Sequence, residues 1–332
     1  MSREPTVPGR ARGRWGVLAG AVLSAVAALA IGYLALDPED VVVTDAVRAG
    51  WGGTYQPLSL GVTHYSLDGP VEGPLIVLVH GGTVPIWTWE AQVPAFTAAG
   101  YRVLTYDAYG RGFSDRPDAT YGRALYAGQL TELLDSLGLG DPVHLVGLSQ
   151  GGGTAVTWAA AHPERVRSLT LVAPVVFAFR IPPGLRVPVV GEIIARTVGV
   201  DMMVDRFVRM VEGHPDAERW EGLMRDQARV RGFQRSVLSM LRSDALGDFR
   251  DEYRGVAGGA YPKLLVWGTG DEEITREMVD TILALVPDIA FRPVEGAGHG
   301  VVMRQAGTVN SLLLEFLGRE GAWRPGDAPI PP

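Results

Sequence analysis

The sequence predicts an α/β protein built on a mainly parallel, eight-stranded sheet with helices on both faces. Short apolar runs alternate with longer helical patterns from about residue 54 onward, the rhythm of strands joined by crossover helices. Several runs, such as LIVLV at 75–79, are apolar throughout rather than alternating, which suits strands covered on both sides. Another, VHLVG, turns straight into a helical pattern through Gly147-Leu148-Ser149-Gln150-Gly151. A chain of 332 residues that is 47% hydrophobic and 20% charged can bury a core of this size.

The elements follow in order. Residues 15–36 run 22 positions without a charge, and as a helix would reach about 33 Å. Arg3, Arg10, Arg12 and Arg14 precede them against Glu4 alone, and Asp37, Glu39 and Asp40 follow. Residues 1–37 are therefore expected to form a cytoplasmic amino terminus and a transmembrane anchor, with the catalytic body on the extracytoplasmic side. A cleaved signal ending near Ala28-Leu29-Ala30, and hence secretion, is the alternative. Segments 54–60 and 61–67 read as a leading antiparallel pair. Strands are expected at 75–79, 102–106, 143–148, 168–172, 263–267 and 290–294, and helices near 87–99, 121–137, 150–161, 273–285 and 304–318.

Between 176 and 254 the alternation stops and only helical patterns remain. This splits the sheet-bearing body into 38–175 and 255–320 around an inserted helical cap. Five of the eight methionines lie there: Met202, Met203, Met210, Met224 and Met240. Thioethers adapt to irregular apolar shapes, so a lid over an apolar pocket is one reading and helix packing the other. Residues 321–332 read as a flexible Pro-rich tail.

Cysteine is absent, which excludes disulfides, thiolate nucleophiles and Cys-ligated metals. A net charge of −7 gives no reason to expect nucleic acid as a partner. The chemistry points instead to Ser149. A strand turning sharply into a helix exposes a hydroxyl at the sheet edge, and glycines two positions either side avoid collision. The helix start beneath it favours a developing negative charge.

A serine hydroxyl needs a base, and of six histidines only His299, in Gly296-Ala297-Gly298-His299-Gly300, lies in a loop just past the final strand. Asp271, after the strand KLLVW, is expected to orient it. Glu272 and Glu273 beside it are expected to serve the start of the next helix. His80 and Asp107, each at a strand end, are expected to hold their turns. Gly82, in His80-Gly81-Gly82-Thr83, and Gln150 are the expected backbone N–H donors to an oxyanion, with Thr83 a rival to Gly82. Trp87, Trp89, Met202, Met203 and Phe207 are candidates for a substrate pocket.

Taken together, VLVHGG at 77–82, YDAYGRGFSDRP at 106–117, GLSQGG at 147–152, AHPERVRSLTLVAP at 161–174, WGTGDEEI at 267–274 and GAGHG at 296–300 resemble the α/β-hydrolase superfamily, in its branch with a helical cap after the sixth strand. The resemblance spans roughly 54–318. It implies a Ser149, Asp271, His299 triad and hydrolysis through an acyl-enzyme, with no metal or organic cofactor. Serine at the elbow argues against haloalkane dehalogenases and epoxide hydrolases, which carry Asp there. Carboxylesterases, monoacylglycerol-type lipases, cofactor-free haloperoxidases and C–C bond hydrolases stay open. The expected partner is a small hydrophobic ester, beside the membrane met through the amino-terminal helix. The alternatives are a C–C hydrolase of ring-cleavage products or a catalytically silent ligand-binding domain. The sequence carries no sign of an oligomeric state.

Overall fold

The computed structural model describes residues 37–318 without interruption, and residues 15–21, 23, 24, 27, 28 and 35 before them. The expected tail at 321–332 lies outside the described residues, as do residues 1–14 and the rest of the apolar segment. The expected anchor is corrected: among the described residues no helix is long and apolar enough to cross a membrane. The localisation drawn from it, extracytoplasmic or secreted, falls with it.

Eight strands form one sheet. In chain order they are β1 (Thr54–Leu58), β2 (Gly61–Asp68), β3 (Leu75–Val79), β4 (Arg102–Tyr106), β5 (Val143–Leu148), β6 (Val166–Val172), β7 (Lys263–Gly268) and β8 (Ala290–Val294). Their order across the sheet is β1-β2-β4-β3-β5-β6-β7-β8. β1 and β2 form the expected antiparallel pair, and β2 runs antiparallel to β4. Every other pairing is parallel. Crossover helices join the parallel strands, which delivers every loop after β3 to β8 to the same sheet edge.

Helices cover both faces: α1 (Asp45–Trp51), α2 (Gln92–Ala98), α3 (Arg123–Ser136) and α4 (Gln150–Ala161) come before the insertion. Between β6 and β7 lie α5 (Pro183–Arg186), α6 (Val190–Ile194), a π-helical turn at Ala195–Gly199, α7 (Val200–Val211), α8 (Ala217–Ala228), α9 (Phe233–Arg242) and α10 (Arg250–Ala257). α11 (Arg276–Leu285), α12 (Val301–Arg304) and α13 (Ala306–Gly318) complete the described chain.

The strands feed two cores. Val77 and Val79 of β3 join Leu145, Leu169, Trp158 and Leu130 on one face. Ile76 and Leu78 join Val146, Val266, Phe96 and Leu313 on the other. Alternate residues of one strand thus serve opposite layers, and this is why β3 is apolar at every position. With both sides held, β3 to β8 cannot slip in register without burying the wrong set of side chains.

Candidate active site

β5 ends at Leu148 and α4 begins at Gln150, so Ser149 alone makes the turn, at φ 54° and ψ −119°. That conformation costs a non-glycine residue about 1–3 kcal/mol and persists only where neighbours hold it. Here Ser149 N–H donates to Val172 O at 3.0 Å, and Ser149 O accepts from Gly152 and Val175 N–H at 2.9 and 3.2 Å. The flanking glycines are sterically required. A Cβ at Gly147 would fall 2.5 Å from Gly151 O, and one at Gly151 would fall 2.3 Å from His80 O.

Two further loops reach the same edge. Asp271 follows β7 and His299 lies between β8 and α12. Their backbones are strapped together: Thr269 N–H donates to Val294 O at 3.0 Å, Gly270 N–H to Ala297 O at 2.9 Å, and Gly296 N–H to Thr269 Oγ1 at 2.9 Å.

The three side chains meet in series. His299 Nε2 is 3.0 Å from Ser149 Oγ, and His299 Nδ1 is 2.8 Å from Asp271 Oδ2. Asp271 Oδ1 accepts from the N–H of Glu273 and Ile274 at 2.8 and 3.0 Å. With Nδ1–H given to the carboxylate, Nε2 is free to accept from the serine hydroxyl. The Asp271 side chain is fully buried and that of His299 nearly so. Burial disfavours the imidazolium, but the Asp271 hydrogen bond and charge, joined by the charge of Glu273, outweigh it and hold His299 above 6.5.

The loop after β3 lies against this serine. Cβ atoms built on Gly81 and Gly82 would sit 3.5 Å from Ser149 Cβ and 3.4 Å from Gln150 Cβ. Three of its carbonyls are engaged. Gly81 O accepts from His80 Nδ1 at 2.7 Å, Gly82 O from Arg111 Nε, and Thr83 O from Gln227 Nε2 at 2.8 Å. Peptide planes are rigid, so holding the carbonyls of Gly81 and Gly82 fixes the N–H groups of Gly82 and Thr83 as well. Burial pushes His80 below 6.5, so it stays neutral, and its Nε2 accepts Ala108 N–H at 2.9 Å. Asp107 holds its turn by accepting Ile86 and Phe113 N–H at 2.8 Å each, and it meets His64 Nδ1 at 2.7 Å.

The pocket candidates separate. Phe207 is buried and meets Trp87 edge-on, ring centroids 5.5 Å apart. Met203 is partly buried against the same core layer. Trp89 is wholly inside that layer, and Met202 is 58% exposed, so neither lines a cleft here. Met240, not among the expected pocket residues, stands instead over Gly82, where a Cβ would be 3.2 Å from its Sδ.

Three contacts went unanticipated. Arg111 is buried, donating also to Gly110 O at 2.8 Å and Ser236 Oγ at 2.7 Å. Gln227 ties α8 to two loops, since its Oε1 accepts Gly112 N–H at 3.3 Å. Glu273 does not cap α11, which is capped by Thr275; its Oε2 lies 3.3 Å from His299 Nε2, and it pairs with Arg206. Apart from Gly110, each partner lies far away in sequence, where spacing gives no signal.

A parallel sheet whose strand ends gather a serine elbow, an acid loop and a histidine loop defines the class of α/β hydrolases. The sequence matches the alpha/beta hydrolase family over residues 76–312, and the chain belongs to that family. It is 30% identical over 269 residues to a 2-hydroxy-6-oxononadienedioate/2-hydroxy-6-oxononatrienedioate hydrolase of Paraburkholderia phymatum, covering 77% of this chain and 91% of the relative. It is 27% identical over 270 residues to the carboxylesterase YbfK of Bacillus subtilis, covering 79% and 86%. Its fold is similar to the enol-lactonase of Burkholderia xenovorans, with a TM-score of 0.67 and 27% identity over 80% of this chain and 100% of that one.

Proposed function

We propose that this hydrolase is a serine hydrolase cleaving carboxylic esters with an apolar part through an acyl-enzyme. The observation that carries the proposal is the unbroken relay from Asp271 through His299 to Ser149, at 2.8 and 3.0 Å. Ser149 Oγ attacks the carbonyl carbon as its proton passes to His299 Nε2. Asp271 holds the tautomer and stabilises the imidazolium. The tetrahedral oxyanion is received by Gly82 and Gln150 N–H, removal of one such donor being worth about 3 kcal/mol. As the tetrahedral adduct collapses, the C–O bond breaks and Nε2–H protonates the leaving alkoxide. Water, activated by the same nitrogen, then frees the acid. No step calls for a metal or an organic cofactor.

The apolar part is supported by what surrounds the relay. Met240 stands over Gly82, and a Cβ on Gly300, next to His299, would be 2.9 Å from Met210 Cγ. Helices of 176–254 therefore act as a cap that presents apolar side chains to the bound substrate. A second reading, C–C bond hydrolysis, draws on the relative from Paraburkholderia phymatum. It uses the same three residues, with a carbanion as the leaving group. The two separate on one panel: p-nitrophenyl esters of increasing chain length beside 2-hydroxy-6-oxodienoates, with fluorophosphonate labelling of Ser149. Turnover of esters with labelled Ser149 supports the first reading, turnover confined to dienoates the second, and an unlabelled, inactive protein overturns both.

A further inference from the structure

Outside the relay itself, one ionised side chain lies against its central group. Glu273 Oε2 lies 3.3 Å from His299 Nε2, the nitrogen that also faces Ser149 Oγ at 3.0 Å. Its backbone is fixed by the relay, because Glu273 N–H donates to Asp271 Oδ1. Its carboxylate is taken up by the guanidinium of Arg206 on α7, with Nε donating to Oε1 at 2.6 Å and Nη2 to Oε2. The charged groups acting on His299 are thus Asp271 and Glu273 from the loop after β7 and Arg206 from the insertion.

We propose that Glu273 and Arg206 form a charge latch on the catalytic imidazole, so that seating of the inserted helices sets how readily His299 releases its proton. The proposal rests on His299 being the base. A carboxylate facing Nε2 opposes the neutral ring, whose lone pair points there, and favours the imidazolium, whose N–H does. Left alone, the Glu273 carboxylate would favour the proton staying on His299 Nε2 and compete with Ser149 for the Nε2–H hydrogen bond. Arg206 shares the carboxylate and relieves this, and it can do so only while α7 lies against the core. With α7 seated the base is primed; with α7 lifted the proton is parked. The directions agree: the charge of Glu273 raises the His299 pKa and that of Arg206 lowers it. The pair adds little to stability, since Arg206 is 55% exposed and such pairs contribute about 0–1 kcal/mol. Its weight falls on titration.

The test is the acidic limb of kcat/KM for the wild type, Glu273→Gln, Arg206→Gln and the double variant, read beside NMR titration of the His299 ring, identified by its loss in His299→Asn. Glu273→Gln is expected to lower the midpoint by about 1 pH unit. Arg206→Gln is expected to raise it, and to raise it by less when Glu273 is already Gln, because the guanidinium then acts on the ring only directly. A midpoint unmoved by Glu273→Gln, or an Arg206→Gln shift as large without Glu273 as with it, overturns the latch. A limb absent from the wild-type rate while the ring titrates normally overturns the base reading instead, and the catalytic consequence of the latch with it.

Discussion

Asp271 divides its two oxygens: Oδ2 takes the His299 Nδ1 proton at 2.8 Å, while Oδ1 takes two backbone N–H groups of its own loop. In Asp271→Asn the amide oxygen would stay with those backbone donors and the NH2 group would face Nδ1. His299 must then carry its proton on Nε2, the wrong atom to accept from Ser149. A fall in kcat of about 10⁴-fold is expected with the fold intact, read from steady-state ester hydrolysis and circular dichroism. A loss under tenfold would contradict an orienting carboxylate.

On the proposed mechanism Ser149→Ala removes the nucleophile and should lower kcat by about 10⁴-fold or more while leaving ester binding measurable. Both Ser and Ala are strained at φ 54°, whereas glycine is not. Ser149→Gly is therefore expected to be more stable than Ser149→Ala by about 1 kcal/mol, checked by urea denaturation.

His299 is held above 6.5, chiefly by Asp271 working against burial. In the proposed mechanism its neutral form is the base, so kcat/KM should rise with pH and reach half its plateau above pH 6.5. The same raised pKa means that protonating His299 stabilises the fold fully below about pH 6.5, a contribution lost as pH rises through the folded value. A half-plateau at or below 6.5 would contradict the dominance of Asp271.

Gly151→Ala places a methyl 2.3 Å from His80 O and 2.4 Å from Val79 O, both backbone atoms. Neither can yield without moving β3, so a loss of about 3 kcal/mol is expected from thermal unfolding. Gly128→Ala, with open space around its Cβ, is the control and should be neutral or slightly stabilising.

Much of this was legible in the sequence. β3, β4, β5 and β8 fall on the expected residues because each is a short, mostly apolar run bounded by helical patterns and turns. Ser149, Asp271 and His299 were legible because each follows a strand on the common sheet edge. Helix α1 gave no periodic signal because it buries no residue. The expected helix at 87–99 is broken into a 3-10 turn at Ile86–Trp89 and α2, and that at 304–318 into α12 and α13. β6 starts two residues early, at Val166, where its register with β5 shifts. Arg111, Gln227 and Glu273 take partners that only the tertiary fold selects.

Gln227 lies in the inserted helices, yet it holds Thr83 O and Gly112 N–H, and Ser236 braces Arg111 from the same block. The inserted block is thus also scaffolding for the loops that lie against Ser149. Chimaeras that import a foreign 176–254 segment should lose turnover along with the old selectivity, unless the amide at 227 and the hydroxyl at 236 travel with it.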